Sequence, residues 1–305
     1  MVIGMKKTLG AIIGLVATCF TVGCVNNAID GESTPIEVCF SPVIVSPTRA
    51  DDGAYPTDNN FGVWAYALPD DMTWGADANS AQLIINGEGV TFDGSWWRTS
   101  ECHMWESNTR FNFFAWSPFE LAASYDKTKG VCFNNFDILN NPVKPMFTKP
   151  IVNMSQPAQS GVVSMPFHHA LAQVGFRIST SYDVNVDVRI KSVKVGNLSY
   201  IGNFSSLPAP TWEQTADVAD FEFCDAEFSV KHSTTSVGES RWVLPQHVTQ
   251  SVVVTYDIYH ADGSLMLADQ VISSKPMDTV WTVGRLYIYS LTLKHGELVF
   301  NTETL

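Results

Sequence analysis

The side chains that could do chemistry in this chain are few, and they match no common catalytic motif. His168 and His169 are adjacent in an apolar stretch typical of a strand, so their imidazoles point to opposite sides and cannot bind one metal ion together. Acidic pairs such as Asp51-Asp52 and Asp70-Asp71 lie in turn-like sequence, whereas a glycosidase needs two carboxylates held about 5 to 10 Å apart. The sequence has no GxSxG, HExxH, P-loop or dinucleotide fingerprint. We therefore expect a protein that is not an enzyme and has no metal or cofactor, with a structural role for at least one histidine.

Trp96 and Trp97 are the candidate binding residues. They follow the turn signal Asp93-Gly94-Ser95, and Trp105 is close along the chain. Exposed aromatic rings are amphipathic surfaces, and sugars stack on them, so the pair could bind a glycan. The alternative is that one ring packs in the core while the other lies at the margin of a sheet.

Cys24 is the candidate site of covalent modification. Lys6-Lys7 leads into an apolar run from Leu9 to Phe20 that is shorter than the ~20 residues needed to span a bilayer, which is typical of an export signal. The run ends at Val22-Gly23-Cys24, which resembles the bacterial lipobox, where the cysteine after the cleavage site carries diacylglycerol. We expect residues 1–23 to be a lipoprotein signal peptide, residues 24–35 to be a polar tether, and the protein to be anchored to the outer membrane through lipid on Cys24.

Four cysteines remain after the signal is removed and Cys24 is acylated: Cys39, Cys102, Cys132 and Cys224. An oxidising compartment permits two disulfides, in any of three pairings. Buried free thiols are the alternative. None of the four lies in a CxxC pair, which argues against a zinc site.

The charge of the chain restricts its partners. Removing Lys6 and Lys7 takes Lys plus Arg from 18 to 16 against 31 acidic residues, which gives −15 for the mature chain. Nucleic acid and anionic lipid head groups are poor partners for such a protein.

Apolar residues recur with a period of two, as in β-strands. Val184 to Ile190 alternates apolar with polar residues, and the alternation then changes phase at Val193, which indicates a bulge or a turn. Turn signals separate similar runs, and they are Asp52-Gly53, Asn86-Gly87, Asp93-Gly94 and Asp262-Gly263. Many short strands over this length, with no clear amphipathic helix, predict two all-β sandwiches in series. Four prolines between Asn140 and Gly161 place the predicted boundary near Ser160, with β-sandwiches over residues 36–160 and 161–305.

Six segments with a distinctive sequence follow one another along the chain: Thr48-Arg49-Ala50, Phe61-Gly62-Val63-Trp64-Ala65-Tyr66, Phe113-Phe114-Ala115-Trp116-Ser117-Pro118, Phe167-His168-His169-Ala170-Leu171-Ala172, Leu244-Pro245-Gln246 and Trp281-Thr282-Val283-Gly284-Arg285-Leu286-Tyr287-Ile288-Tyr289. In this order they resemble the fimbrillin-like family of Bacteroidetes surface lipoproteins. The resemblance implies two tandem Greek-key, transthyretin-like β-sandwiches and a role as stalk, tip or anchor subunit of surface fimbriae. It also implies assembly by strand donation from other fimbrial subunits: an arginine-specific protease removes the first strand, and the C-terminal segment of a neighbouring subunit fills the groove left behind. Arg49 occupies the corresponding processing position.

The first strand has the pattern that such an exchange requires. Ile36, Val38 and Phe40 alternate with Glu37 and Cys39, and removing such a strand from a sandwich would expose unpaired backbone groups and an apolar slot. The alternative is an ordinary first strand followed by an uncut loop. We expect a fimbrial subunit that supports adhesion through a host or bacterial glycan or protein ligand. A surface glycan-binding lipoprotein is the second reading.

Overall fold

The regular secondary structure of the described residues is almost entirely β-strand. The computed structural model describes residues 35–45, 53–157 and 161–304, with side chains as far as residue 300. Within these ranges the helical residues are one four-residue helix, α1 (Trp74–Asp77), and the 3-10 turn Ala78–Ser80. The all-β prediction is confirmed.

The strands before the proline-rich stretch and within it are β1 (Cys39–Val45), β2 (Gly53–Ala54), β3 (Phe61–Pro69), β4 (Gln82–Phe92), β5 (Trp97–Thr99), β6 (Thr109–Ser117), β7 (Ser124–Asp126), β8 (Gly130–Asp137), β9 (Met146–Thr148) and β10 (Ile151–Met154). Those after it are β11 (Val162–His169), β12 (Ala172–Thr180), β13 (Val186–Ser199), β14 (Ile201–Ser205), β15 (Thr211–Gln214), β16 (Val218–Glu222), β17 (Phe228–Val230), β18 (Thr235–Ser236), β19 (Arg241–Val243), β20 (His247–Val248), β21 (Val252–His260), β22 (Leu265–Ser273), β23 (Thr279–Val280), β24 (Leu286–Lys294) and β25 (Glu297–Thr304).

The first sheet closes on itself. Its order is β10-β6-β3-β4-β5-β1-β11-β9, and β9 also pairs with β6. Because β6 and β9 pair with each other, the strands β6, β3, β4, β5, β1, β11 and β9 form a closed ring without a free edge. The apolar cluster of this sheet contains Val38, Phe40, Phe61, Phe113 and Phe167.

The rest of the chain forms open sheets. One has the order β18-β12-β24-β25, and another has the order β16-β13-β21-β22; their apolar side chains share one core cluster, which includes Phe176, Val254 and Leu291. Two opposed sheets around one core are the arrangement of a β-sandwich.

Three strand pairings of the described residues cross the predicted boundary near Ser160, and one of them is the antiparallel pairing of β9 with β11. Strand β11 pairs in parallel with β1, and β14 pairs antiparallel with β8 in the sheet β15-β14-β8-β7. A third apolar cluster accordingly combines Phe133 and Phe147 with Phe204 and Trp212. Ile36–Leu305 forms one compact unit. The division into independently folding halves at residue 160 stays a prediction.

The predicted turns have different outcomes. Asp93-Gly94 lies between β4 and β5, and Asp262-Gly263 lies between β21 and β22, as predicted. Asn86-Gly87 is instead inside β4, because Gly87, with φ of 65°, is the extra residue at a register shift against β3. The predicted change of phase in β13 is a register shift between Ile190 and Ser192.

Candidate functional site

Strand β1 lies inside its sheet and is paired on both sides. It runs parallel to β11 along its whole length, from Cys39 opposite Val162 to Val45 opposite His168. On the other side Phe40 pairs with Trp97 of β5, and the Val38 N–H donates to the His103 carbonyl at 2.8 Å. We call the place occupied by residues 36–45 the β1 site.

The side chains of the β1 site face the closed core. Phe40 is 1% exposed and meets the rings of Phe61 and Phe113 edge-on, with centroids 5.9 Å away in both cases. Val38 is equally buried, and Ile36 and Ile44 pack against the same cluster. The alternation predicted from the sequence therefore places one face of the strand in the core.

One charged side chain marks the start of the β1 site. The Arg98 guanidinium lies 3.1 Å from the Glu37 carboxylate, and its Nε lies 2.9 Å from Asp93 without an aligned hydrogen bond. Backbone N–H groups of Trp96 and Ser95 donate to Asp93 and hold its pKa below the usual range. Arg98 is thus a fixed positive charge beside the first residues of the strand.

Gly161 permits the close approach of the chain at this point. Its φ is 63°, and a Cβ there would overlap the Glu37 carbonyl oxygen. The Gly161 carbonyl accepts hydrogen bonds from the Cys39 N–H at 3.2 Å and from the Trp105 indole at 3.0 Å. The turn before β11 is therefore fitted to the backbone of the β1 site.

No disulfide joins Cys39 to Cys132 or Cys224, because all three are buried free thiols. Burial raises the pKa of the Cys39 thiol, and the nearby Glu37 carboxylate raises it further. Thiols of raised pKa are poor nucleophiles near neutral pH. Of the two alternatives left open by the sequence, the free thiol holds for these three residues.

Arg49 and Cys24 lie outside the described residues, so cleavage and lipidation stay predictions. The described flanks of Arg49 are paired with each other: Val43 and Ile44 of β1 lie opposite Ala54 and Gly53 of β2. Gly53 and Ala54 are exposed. The segment 46–52 therefore connects two adjacent antiparallel strands.

The chain ends in an antiparallel hairpin. Strand β25 pairs with β24 in eight consecutive residue pairs, from Tyr287–Thr304 to Lys294–Glu297. Its other side makes one isolated bridge, between Leu298 and Ser274. Leu298 is buried, and the partly buried Phe300 contacts the Tyr289 ring at 5.0 Å. The last strand is therefore an edge strand.

The fimbrillin-like family model matches residues 48–304 of the chain. The chain belongs to the fimbrillin-like family. No curated protein matches it in sequence.

Solved structures share the fold of this fimbrillin-like protein. A fimbrial protein from Bacteroides vulgatus has a TM-score of 0.68 at 15% identity, covering 88% of this chain and 99% of that one. A candidate cell adhesion protein from Bacteroides uniformis has a TM-score of 0.53 at 14% identity, covering 89% and 98% of the two chains. At these identities the likeness concerns the fold alone.

Trp96 and Trp97 have separate environments in this fimbrillin-like protein. Trp96 is 46% exposed, whereas Trp97 is 8% exposed and packs against the rings of Tyr55, Phe61 and Phe92. The faces of the Trp97 ring are thus covered by protein and are not open to a sugar. One tryptophan is in the core and the other is at the turn before β5, so glycan stacking stays a prediction for Trp96 alone.

The two adjacent histidines also differ. The His169 ring lies against the Trp242 ring, with centroids 4.6 Å apart and the planes tilted by 42°. Burial lowers the pKa of His169 to about 4, helped by the charges of Lys144 and His168. Its Nδ1 is buried and has no hydrogen-bond partner. A neutral imidazole packed on an aromatic ring is a structural residue, as predicted for at least one of the pair.

One group of described residues could offer three ligand atoms to a metal ion: Glu88, Glu101 and His103, whose candidate atoms lie within 4.8 Å of one another. His103 Nε2 already contacts both Glu88 carboxylate oxygens, at 3.0 and 3.1 Å. That contact accounts for the arrangement without an ion. No local sequence pattern indicates the group, because its members come from β4 and from the segment after β5.

In the described part of the fimbrillin-like protein, no helix combines the length and the apolar character needed to cross a bilayer.

Proposed function

We propose that this protein is a non-enzymatic structural subunit of cell-surface fimbriae that exchanges its first strand for a strand of another subunit. Membership of the fimbrillin-like family supports the fimbrial role. The observation that carries the exchange is the β1 site: a strand inside a closed sheet, with no disulfide to Cys132 or Cys224, joined to β2 by the segment that contains Arg49.

The physical basis of the exchange is the cost of an empty β1 site. Without β1, one edge of β11 would lose its backbone partners, and Phe61 and Phe113 would lose their contact with Phe40. Unpaired strand edges and apolar clefts bind an added strand, which restores both interactions. Cleavage at Arg49 would free residues 36–45 to leave together with the lipidated N-terminus.

The test is treatment of the full chain with an arginine-specific protease, followed by electrophoresis in SDS. We expect SDS-resistant ladders for the parent and none for Arg49→Ala. Arg49→Lys is the matched control, because it keeps the positive charge and removes the cleavage site. Cys39→Ser should form ladders as well as the parent does, since Cys39 is a free thiol. Equal ladders from Arg49→Ala would contradict the cleavage step.

We also propose that Cys24 anchors the uncut protein to the outer membrane. One acyl chain binds a bilayer only marginally, at about 0.8 kcal/mol per buried CH₂, so the two or three chains of a lipoprotein are needed for stable anchoring. Cys24→Ala should release the protein from the membrane fraction. Cys39→Ser is the control substitution. Unchanged fractionation of Cys24→Ala, with no acyl mass on the N-terminal peptide, would contradict the anchor.

Glycan binding is the second candidate, and the exposed ring of Trp96 is the observation in its favour. Stacking on one exposed ring predicts saturable binding on a glycan array that is lost in Trp96→Ala. Trp96→Phe, which keeps an aromatic face, should retain part of the binding. An array without saturable binding by the parent would leave the strand-exchange role as the only candidate.

A further inference from the structure

One cavity of this protein has basic side chains and no acid in its wall. It has a volume of about 470 Å³, and its lining comes mainly from the ends of β1, β9 and β11 and from the turn before β24. Lys149, Arg285 and His168 contribute to the wall, and none of the described residues that line it is acidic. The whole chain, in contrast, has 31 acidic residues against 18 lysines and arginines. We call this local exception to the negative charge of the protein the cationic cavity.

Two other cavities differ from it in charge. In one, of about 690 Å³, the Arg241 guanidinium already lies 2.6 Å from the Asp225 carboxylate. The other, of about 460 Å³, has the acid Glu120 and neither lysine nor arginine in its described lining. Lys149 and Arg285 have no acidic partner among the described residues. An anion from outside could therefore bind these two side chains without first breaking an ion pair.

A hydrogen-bonded turn holds the backbone of Arg285. Gly284 has a φ of 73°, and its N–H donates to the Leu171 carbonyl at 2.9 Å. The Arg285 N–H donates to the Thr282 carbonyl at 3.3 Å, and the Arg285 carbonyl accepts from the Gln173 N–H at 2.8 Å. The side chain itself is exposed. A guanidinium on such a fixed backbone is well placed to bind a ligand from solvent.

Strand pairing positions the remaining wall of the cationic cavity. His168 of β11 lies opposite Val45 of β1 and opposite Phe147 of β9. Lys149 comes directly after β9, and its side chain is exposed. Val45, Phe147 and Val283 give the cavity an apolar part beside the basic groups. The wall therefore combines positive charge with apolar surface, which suits a ligand that has both an acidic group and a carbon ring.

We propose that the cationic cavity binds a carboxylate-bearing sugar, such as a hexuronic acid residue, with Arg285 and Lys149 on the carboxylate and the apolar side chains against the ring. A guanidinium can bind a carboxylate through two parallel hydrogen bonds. The volume lies within the range of about 300–1,000 Å³ that is usual for small-ligand sites. The excess of acidic residues elsewhere opposes a polyanion, which favours a sugar with a single acidic group. This site is separate from the strand exchange and from Trp96.

Calorimetric titration of the full chain with methyl β-D-glucuronide tests the ligand class. The chain is left uncut, because Val45 of β1 is part of the wall. We expect saturable binding that weakens as sodium chloride is added, since salt screens the ion pairs. Methyl β-D-glucoside lacks the carboxylate and acetate lacks the ring, so each should bind about tenfold more weakly or less. Equal binding of the glucoside would overturn carboxylate recognition, and equal binding of acetate would overturn the sugar.

Substitutions of the basic side chains test the place of binding. Arg285→Gln should weaken glucuronide binding by about tenfold or more, and Arg285→Lys should recover only part of it, because lysine lacks the paired donors. Lys149→Gln should also weaken it. The matched control is Lys275→Gln, an exposed lysine outside the cavity, and Trp96→Ala should bind as the parent does. Absence of saturable binding by the parent, or parent-like affinity in Arg285→Gln, would overturn the site and leave strand exchange intact.

Discussion

Strands β1 and β25, the first and last strands of the described residues, are held very differently. Strand β1 is paired on both sides in a closed sheet, and its Phe40 is 1% exposed. Strand β25 is an edge strand whose Phe300 is only partly buried. The two strands therefore differ in how many of their sides are paired and in how deeply their phenylalanines are buried.

The comparison separates two requirements of a subunit that exchanges strands. A strand that is to be given away must be loosely held, and an edge strand meets that requirement because one side of its backbone lacks a ladder. A site that is to be refilled must stabilise the incoming strand by burying its side chains and pairing its backbone. The β1 site has the burial and the pairing on both sides that the second requirement names, whereas β25 has the open edge that the first one names.

The largest expected effect comes from truncating the phenylalanine of each strand in the uncut chain. Phe40→Ala should lower the free energy of unfolding by about 3–5 kcal/mol, because a fully buried ring leaves a cavity among Phe61 and Phe113. Phe300→Ala should cost only about 1–2 kcal/mol, since its ring is partly exposed. Urea denaturation measures both. Equal losses in the free energy of unfolding for the two variants would contradict the difference between the two strands.

The tryptophan pair beside the β1 site gives a second contrast. Trp97→Ala should lower the free energy of unfolding by about 3–5 kcal/mol, because its ring packs against Tyr55, Phe61 and Phe92 beneath β1. Trp96→Ala should change it by less than about 0.5 kcal/mol, as is usual for exposed side chains. Thermal unfolding of both variants tests this contrast. Clear destabilisation by Trp96→Ala would contradict the contrast and would mean that the Trp96 ring also packs against the β1 site.

Acid should lower the free energy of unfolding through His169, the last residue of β11. The pKa of His169 is about 4 in the folded chain and 6.5 without the fold, so between these values the unfolded chain binds a proton that the folded chain does not. Stability should therefore fall as the pH drops from 6.5 to 4, by on the order of 3 kcal/mol for this group. Denaturation of the parent and of His169→Gln across this range measures the difference. The same pH dependence in His169→Gln would exclude the histidine as its source.

The smallest effect concerns the ion pair at the start of β1. Arg98 and Glu37 are 30% and 21% exposed, so solvent screening limits their coupling to about 0.5 kcal/mol. A double-mutant cycle with Arg98→Met and Glu37→Gln in the uncut chain measures it. A coupling energy of several kcal/mol would contradict this estimate and would show that the ion pair contributes substantially to holding β1 in place.

The sequence predicts the local structure of the fold well. The alternation from Val184 to Ile190 identified the first part of β13, and the change of phase after Ile190 located its bulge. Asn86-Gly87 was misread, because the same two residues suit a hairpin turn and a bulge inside a strand. Only the pairing partner distinguishes the two.

The long-range pairings could not be predicted from the sequence. Parallel pairing of β1 with β11 joins residues that are 123 positions apart in the sequence, such as Cys39 and Val162 (162 − 39 = 123). No local pattern specifies such a pairing. The roles of Arg98 and Gly161 depend on that pairing and were missed for the same reason.

The central claim is that residues 36–45 leave when the subunit assembles, and the N-terminal mass of the native protein tests it most directly. Protein is isolated from the cell surface, the SDS-resistant polymer is separated from the monomer, and the N-terminal peptide of each is measured by mass spectrometry. We predict that chains in the polymer begin at Ala50, while monomer in the membrane begins at acylated Cys24. Polymer chains that retain Cys24 and the segment from Ile36 to Val45 would contradict the account.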